Sequence, residues 1–194
     1  YVDPKIGSIL KYQGKTNEMV TQLAINLAIA HCRSAKVPKS LLDPMAGRGT
    51  TLLWGLRYGL NSQGIELNPE ALVHLERHLK GQAKIHRFKH THQKGVPGGG
   101  KKQKEAEDRF IQFQIGEQHL RLFSGDSRNG GTLLAGQRFD LIVSDLPYGI
   151  QFGGGQRRNP IDLVADCAPA WVERMKGGGA MVLIFNRYHP NATR

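Results

Sequence analysis

The chain contains few cysteines and no long apolar segment, and each absence excludes a class of protein. Its two cysteines, Cys32 and Cys167, are far apart in sequence and too few for a disulfide framework. Neither has a neighbouring Cys or His at zinc-finger spacing, so we expect two reduced thiols and no metal site. No apolar run approaches the roughly 20 residues that a membrane-spanning helix requires, and residues 1–5 do not resemble a signal peptide. We therefore expect a soluble cytoplasmic protein, and its 194 residues favour a single domain.

Acidic residues are also few relative to basic ones. Lysine and arginine number 27 and aspartate and glutamate 16, which gives a formal net charge of +11. A surplus of this size favours a polyanionic partner, because each phosphate that a basic side chain neutralises releases condensed counterions. The alternative is a solvated basic surface that aids solubility. Charge alone favours nucleic acid over that alternative.

Apolar periodicity predicts helices that alternate with short buried strands. The predicted helices cover residues 17–32, 50–58, 69–80 and 161–175, and the predicted strands cover residues 40–43, 62–67, 119–123, 139–144 and 179–185. Gly81 is expected to end the third helix, and Pro169 to start or kink the fourth. This alternation predicts an α/β fold with a mostly parallel, doubly wound sheet that is covered by helices on both faces.

One long segment, residues 82–116, interrupts this alternation. It is rich in histidine, lysine and arginine and contains a Gly-rich stretch. Its tip is expected to be a flexible loop, and residues 110–115 are expected to form an added strand beside the third predicted strand. Two interpretations stay open: an electropositive arm for a phosphate backbone, or a tolerated surface insertion. A metal site at His86, His90 and His92 is disfavoured, because no acid or cysteine completes it.

The first predicted strand leads into a glycine-rich turn. Residues 43–51 read Asp-Pro-Met-Ala-Gly-Arg-Gly-Thr-Thr, and glycine in such a turn lets a ligand approach the backbone closely. Glu66 follows about 20 residues further on, where doubly wound folds place an acid on a ribose diol. A carboxylate there accepts two hydroxyl hydrogen bonds and disfavours a 2′-phosphate. The sequence therefore predicts a ligand with an unphosphorylated ribose, the alternative being a surface carboxylate.

The ends of the third and fourth predicted strands narrow the choice of ligand, because NAD would also fit the first two motifs. Residues 124–127, Ser-Gly-Asp-Ser, offer Asp126 as an acceptor for an adenine amino group. Residues 144–149, Ser-Asp-Leu-Pro-Tyr-Gly, lie where the carboxyl edge of the sheet borders the ligand crevice. The alternative for Asp145 and Tyr148 is an ordinary turn with a packed aromatic ring.

In this order and spacing the motifs resemble those of class I S-adenosylmethionine (SAM)-dependent methyltransferases, over about residues 11–186. Residues 43–50 resemble methyltransferase motif I, Glu66 resembles motif II and Asp126 resembles motif III. Residues 145–148, Asp-Leu-Pro-Tyr, resemble the Asp/Asn-Pro-Pro-Tyr/Phe motif of amino-methyltransferases. The extended form Asp-Leu-Pro-Tyr-Gly is similar to that of the tRNA guanine-N2 methyltransferases that are usually fused to THUMP domains.

The resemblance implies a Rossmann-like fold, SAM as the cofactor, and methyl transfer to an exocyclic base nitrogen. Residues 11–18 resemble the segment that closes over the methionine moiety of SAM in amino-methyltransferases. The implied cofactor-binding residues are Lys15, Thr16, Asp43, Met45, Ala46, Gly47, Gly49, Thr50, Glu66, Leu67, Asp126, Ser127 and Asp145, and the implied catalytic residues are Asp145, Leu146, Pro147 and Tyr148.

The expected chemistry explains these residue types. An exocyclic amino group is a poor nucleophile, because its lone pair is delocalised into the ring. The Asp145 carboxylate and the Leu146 carbonyl would each accept one amino hydrogen and orient the lone pair toward the sulfonium methyl group. Pro147 would stiffen the turn, and Tyr148 would stack on the target base. The positive sulfur already activates the methyl group, so no strong general base is required.

The sequence departs from the family pattern in three respects. Leu146 stands where most relatives have proline, and no THUMP domain precedes the motifs. Class I enzymes have a seven-stranded sheet whose last two strands form an antiparallel hairpin, whereas this chain stops at Arg194, soon after the fifth predicted strand. We therefore expect the sheet to lack those two strands, or a partner to cover that edge.

The substrate assignment leaves alternatives. The most specific expectation is guanine N2 in tRNA or another RNA, with RNA as the partner. The alternatives are an adenine or cytosine amino group in DNA, a protein glutamine or a small molecule, and a non-catalytic RNA-binding module that retains a relic of the fold.

Overall fold

The helices and strands of the chain alternate as its apolar pattern predicts. The computed structural model describes residues 17–96, 109–146 and 160–185, without the side chains of residues 160 and 161. The helices are α1 (Glu18–His31), α2 (Thr50–Arg57), α3 (Glu70–His86), α4 (Gly130–Leu133) and α5 (Pro160–Glu173). The strands are β1 (Ser40–Asp43), β2 (Asn61–Glu66), β3 (Thr91–Gly95), β4 (Arg109–Ile115), β5 (Gln118–Ser124), β6 (Phe139–Asp145) and β7 (Met175–Ile184).

The strands form one seven-stranded sheet in the order β3-β4-β5-β2-β1-β6-β7. The pairings β5-β2, β2-β1, β1-β6 and β6-β7 are parallel, whereas β3-β4 and β4-β5 are antiparallel. The predicted α/β fold with a mostly parallel, doubly wound sheet is confirmed. Consecutive parallel strands are joined through helices, so their carboxyl ends all lie at one edge of the sheet.

Helices cover both faces of the parallel part of the sheet. On one face, α1, α2 and α3 contribute buried residues such as Ile25, Leu52 and Leu79 to a core that includes Leu41. On the other, α4 and α5 contribute residues such as Trp171 to a second core. Complete burial of a side chain of this size stabilises the fold by about 1.5–3 kcal/mol. The sheet is therefore packed between two cores, one on each face.

Helix α1 begins directly after Asn17, close to its predicted start. The Asn17 side chain accepts a hydrogen bond from the Met19 amide over 2.9 Å, which satisfies one of the amide groups left unpaired in a first helical turn. At the start of α3 the Asn68 side chain accepts from the Glu70 amide, also over 2.9 Å. Both asparagines therefore define where their helices begin.

The predicted end of α3 at Gly81 is wrong, because the helix continues to His86. Its buried positions include Leu75, Leu79 and Ala83, so the apolar face extends beyond the glycine. The cost of about 1 kcal/mol for glycine within a helix is smaller than the gain from packing that face. The helix ends at Arg87, whose φ of 53° lies in the left-handed region.

The last helix and strand also differ in their bounds from the prediction. Pro169 lies inside α5, which ends at Glu173 instead of continuing to residue 175. Strand β7 begins at Met175, four residues before the predicted start at Gly179. The early part of β7 is a polar and glycine-containing segment, Lys-Gly-Gly-Gly, that has little apolar pattern for a sequence-based prediction to detect.

The segment 82–116 is more ordered than expected in its described parts. The added strand predicted at 110–115 is confirmed as β4, which pairs with β5 in antiparallel register. Strand β3 was not predicted. The seven strands of the described residues are thus the five predicted strands, the predicted added strand β4 and the unpredicted strand β3. The expectation that the last two strands of the family's sheet are missing stays a prediction. Residues 97–108 lie outside the described residues, as do residues 186–194, where strands after β7 would fall.

None of the helices in the described ranges is both long enough and apolar enough to span a membrane.

Two glycine substitutions test the extent of α3. Gly81→Ala should raise the free energy of unfolding by about 0.5–1 kcal/mol, because a helical glycine is conformationally costly and an added Cβ meets no atom within 4 Å. Gly59→Ala is the matched control, since it has the same open space but a φ of 76°. It should lower the free energy of unfolding by about 1 kcal/mol. Urea denaturation measures both, and a destabilised Gly81→Ala variant would contradict the continuous helix.

Candidate functional site

The parallel strands bring the predicted acidic residues to one edge of the sheet. Asp43, Glu66 and Asp145 are each the last residue of a strand, and Asp126 follows the end of β5 by two residues. The registers align these ends, because Asp43 is opposite Gly64 and Glu66 is opposite Ser124. Residues far apart in sequence therefore lie along one edge of the sheet, the edge beside which the ligand crevice of open α/β sheets is found.

The loop after β1 is held in a tight turn against β2. The Ala46 amide donates to the Ile65 carbonyl over 2.9 Å, and the Gly49 amide donates to the Ala46 carbonyl over 2.8 Å. Gly47 and Gly49 have φ values of 52° and 88°, which favour glycine. Gly47 is exposed, and a Cβ at this position would meet no atom within 4 Å. The loop therefore presents open backbone to the crevice.

Glu66 connects this loop to the start of α3. One carboxylate oxygen accepts the Gly47 amide over 2.9 Å, and the other accepts the Asn68 amide over 2.9 Å. Each oxygen of an ionised carboxylate has a second acceptor position. Glu66 is therefore fixed in orientation and still has one acceptor position on each oxygen for two adjacent hydroxyl groups. Its neighbour Leu67 is exposed.

Asp43 lies beneath the loop, with 2% of its surface exposed. Its carboxylate accepts hydrogen bonds from the Ser144 hydroxyl over 2.7 Å, from the Met45 amide over 3.1 Å and from Thr51. Burial raises the pKa of Asp43 to about 7, the negative charge of Asp145 adds to the increase, and the three hydrogen bonds oppose it. The geometry makes Asp43 a support of the loop, and direct contact with a cofactor stays a prediction.

Asp126 is paired with an arginine that the sequence interpretation did not single out. The Arg128 Nε donates to both carboxylate oxygens over 3.0 Å, and the Arg128 amide donates over 2.9 Å. These hydrogen bonds, with the arginine charge, lower the pKa of Asp126. The neighbouring Ser127 is buried and accepts from the Trp171 indole N–H over 3.0 Å. An arginine two residues after the acid was the available signal for this pair.

The end of β6 is fixed by β7. The Leu146 amide donates to the Ile184 carbonyl over 2.9 Å, and Leu146 is buried. This places the peptide that follows Asp145 in a defined orientation at the crevice. Pro147 and Tyr148, the other two predicted catalytic residues, lie outside the described residues, and so do the predicted cofactor contacts Lys15 and Thr16.

Thr50 carries an unusual polar group at the same edge. It is the first residue of α2, it is 4% exposed, and its hydroxyl oxygen has no hydrogen-bond partner among the described residues. Buried polar atoms are nearly always paired. The hydroxyl lies at the start of α2, directly after the glycine loop. Met45 and Ala46, which precede it in the loop, are partly exposed and buried, respectively.

The described residues contain no group of three or more His, Cys, Asp or Glu side chains that could hold a metal ion. Cys32 and Cys167 are both free thiols, and burial raises the pKa of Cys167 to about 11.

Solved structures share this fold, although comparison with protein-family models and with curated proteins found no match. The rRNA methyltransferase aviRa from Streptomyces viridochromogenes has a TM-score of 0.57 at 17% identity, over 94% of this chain and 81% of that chain. A hypothetical protein of Thermus thermophilus has a TM-score of 0.54 at 16% identity, over 91% and 77%. Precorrin 8w decarboxylase from Methanobacterium thermoautotrophicum has a TM-score of 0.50 at 17% identity, over 88% and 63%.

These likenesses define the class of fold. The chain has the Rossmann-like fold that is found in SAM-dependent methyltransferases. The sheet order β5-β2-β1-β6-β7 places Glu66 and Asp145 on either side of the glycine loop. The added β3-β4 hairpin extends the sheet beyond β5.

The raised pKa of Asp43 predicts a pH-dependent stability. The folded chain retains a proton on Asp43 up to about pH 7, whereas the ordinary pKa of aspartate is 3.8. The folded state therefore binds more protons between these values, so the contribution of Asp43 to the free energy of unfolding decreases as the pH rises from about 4 to about 7. Asp43→Asn should remove this decrease. The difference between the two proteins, measured by urea denaturation at several pH values, should change across that window and be constant above it.

Asp140→Asn is the control for this measurement. Hydrogen bonds from the Lys39 amide, Lys176 and Ser40 outweigh the effect of burial and lower the pKa of Asp140. The stabilising contribution of Asp140 is therefore lost only when the pH falls below the pKa of an aspartate in the unfolded chain. The difference between wild type and Asp140→Asn should be constant between about pH 5 and 7. A constant difference for Asp43→Asn as well would show that Asp43 does not hold a proton at these pH values.

Proposed function

We propose that the chain is a SAM-dependent N-methyltransferase that acts on an exocyclic base amino group in RNA, most specifically guanine N2 in tRNA. The proposal depends on one observation: the Glu66 carboxylate accepts the Gly47 amide at the same edge of the sheet where Asp145 ends β6. A ribose-binding acid, an open glycine backbone and an acid for an amino group thus share one edge.

The residues at this edge fit SAM. Glu66 has an acceptor position on each carboxylate oxygen for the two ribose hydroxyls. The unpaired hydroxyl of Thr50, next to the open backbone at Gly47, suits a polar group of the ligand. Asp126 can accept a hydrogen bond from the adenine amino group if the Arg128 guanidinium gives up its hydrogen bond to one of the two carboxylate oxygens. When bound, SAM supplies a methyl group that its positive sulfur activates for transfer.

Asp145 and Leu146 suit the orientation of an amino group. The Asp145 side chain and the Leu146 backbone carbonyl would each accept one hydrogen of the target amino group, which directs the nitrogen lone pair away from both acceptors. The hydrogen bond from the Leu146 amide to Ile184 of β7 fixes the peptide that links these two residues. The role of Asp145 is orientation, because a strong base is unnecessary for this transfer.

Charge and likeness support RNA as the substrate. The net charge of +11 favours a polyanion. One of the proteins that share the fold is named as an rRNA methyltransferase, and the chain covers 81% of its length. A base inside a helix would have to be flipped out to reach the crevice, so a loop or another single-stranded region is the favoured target.

The direct test is methyl transfer to RNA. The protein is incubated with SAM and total tRNA or rRNA, and the nucleosides are analysed by mass spectrometry. N2-methylguanosine is the expected product. Asp145→Ala should lower the rate by about 100-fold or more, because it removes an orienting acceptor, while the affinity for SAM measured by calorimetry stays nearly unchanged.

The other outcomes of this experiment separate the alternatives. Glu173→Ala is the matched control, since Glu173 is an exposed acid at the end of α5 and should leave the rate unchanged. Methyl transfer to DNA but not to RNA would show that the substrate is DNA. Binding of RNA without SAM binding or turnover would identify a non-catalytic relic. A near wild-type rate for Asp145→Ala would exclude the orientation scheme.

A second prediction concerns the ribose site. Glu66→Gln replaces one acceptor oxygen by an amide that donates, so it should weaken SAM binding by about tenfold or more. Isothermal titration calorimetry measures the affinity. Glu70→Gln is the matched control, because Glu70 is an exposed acid in the first turn of α3 and should bind SAM as the wild type does. Equal affinities for the wild type and Glu66→Gln would remove Glu66 from the ligand site.

A further inference from the structure

The β3-β4 hairpin and β5 expose a sheet face that no function described above uses. Direct cross-strand pairs place Phe110 beside Phe123, Gln112 beside Arg121 and Gln114 beside His119, so all of these side chains project from one face. Phe123 is buried, and the other five are partly exposed. We call the surface formed by Phe110, Gln112, Gln114, His119 and Arg121 the hairpin face.

The opposite side of the same strands has an ordinary structural role. Ile111, Phe113 and Ile115 are buried in the core that includes Leu75 and Leu79 of α3. These apolar side chains account for the stability of the hairpin. On the hairpin face, Phe110 packs against the second core, but the other side chains are polar and packing does not explain them.

Among the described residues, Arg121 on the hairpin face has no counter-ion. Arg121 is partly buried, and burial lowers its pKa. No carboxylate in the described part of the chain lies within ion-pair distance of it, whereas Lys94, Arg128 and Lys176 each have one. The strands β3, β4 and β5 contain no acidic residue. A partly buried guanidinium on strands without acidic residues favours an anionic partner.

Arg121 is also held in a defined position. Its Nε donates to the Gln112 side chain over 2.6 Å, and its guanidinium carbon lies 5.0 Å from the ring centre of Phe110 and 5.6 Å from that of Phe123. A guanidinium has five N–H donors, and only the Nε donor takes part in this contact. The terminal nitrogen atoms can therefore donate to a phosphate, and the guanidinium plane offers a surface on which a base can stack.

The hairpin face continues to the crevice. Arg109 at the start of β4 is opposite Ser124, and Ser124 is opposite Glu66 in the next pairing. Neighbouring strands are about 4.8 Å apart, so the start of β4 lies roughly 10 Å from the end of β2 along the same edge. Asp145 ends β6, two strands beyond β2, which is about 20 Å from the start of β4 along this edge. A strand of nucleic acid that contacts Arg121 can reach Asp145 with a few intervening nucleotides.

We propose that the hairpin face binds single-stranded RNA next to the modified nucleotide, with Arg121 on a backbone phosphate and the Gln112 and Gln114 amides on base edges or ribose hydroxyls. This inference rests on the proposed RNA substrate. Single-stranded RNA fits better than a duplex, because the amides and the arginine plane need bases that are free to pair and stack.

The test is the binding of a fluorescein-labelled single-stranded oligouridylate RNA, measured by fluorescence anisotropy at several salt concentrations. Arg121→Gln should weaken binding roughly tenfold. It should also reduce the slope of log affinity against log salt concentration by about one, which corresponds to the loss of one phosphate contact. Arg121→Lys should retain most of the slope because it keeps the charge. Arg57→Gln is the matched control, since Arg57 also lies over an aromatic ring, Trp54, but on α2.

The result that overturns the proposal is an Arg121→Gln variant with the affinity and salt slope of the wild type, or a loss seen only with duplex RNA or duplex DNA. If Arg121→Gln fails to fold, Gln114→Glu replaces it, because it adds a negative charge to the partly exposed face and should weaken RNA binding as well. Methyl transfer and SAM calorimetry report on the proposed function separately. If these variants bind RNA and turn over as the wild type does, the hairpin-face proposal is wrong and the proposed function stands. If the variants bind RNA more weakly but no protein shows turnover, the proposed methyl transfer is wrong and the RNA-binding role of the hairpin face stands.

Discussion

The short central strand β1 depends on two carboxylates, one at each end. At its beginning, Asp140 of β6 accepts hydrogen bonds from the Lys39 and Ser40 amides, both over 3.0 Å, and from Lys176. At its end, Asp43 accepts from Ser144 of β6 over 2.7 Å. A strand of four residues has few ladder hydrogen bonds of its own, so these side-chain contacts fix its position against β6. The glycine loop and the whole carboxyl edge take their geometry from that position.

The two carboxylates differ in the cost of their charge. Asp140 has a lysine partner and a lowered pKa, whereas Asp43 has only neutral donors and a pKa of about 7. Burial of a charge without a cation is unfavourable, and hydrogen bonds offset only part of it. The unfavourable burial of charge therefore concerns Asp43, at the carboxyl end of β1, and not Asp140, at its beginning. Asp43 is also close enough to Asp145 for their charges to interact, so a positive ligand at this edge would favour the ionised form of Asp43.

The sequence predicted the parts of the fold that depend on local apolar pattern. Continuous apolar runs identified the buried strands, and their ends located Glu66 and Asp145 at the edge. Strand β3 was missed because Thr-His-Gln-Lys-Gly is polar on both faces and is a strand only by pairing with β4. Gly81 was misread because the packing of α3 outweighs a local helix-breaking preference. Side-chain partners such as Asp43 and Ser144, 101 residues apart, leave no local trace in the sequence.

The leucine in the Asp-Leu-Pro-Tyr motif has a physical consequence that follows from the sheet. Proline at this position would have no amide hydrogen, whereas Leu146 donates one to Ile184 of β7. The peptide after Asp145 is therefore fixed by a hydrogen bond to the neighbouring strand, where a proline ring would fix it by its own restricted φ. The position of this peptide thus depends on the pairing of β6 with β7. The leucine replaces a local backbone constraint by a tertiary one at the peptide between Asp145 and Leu146.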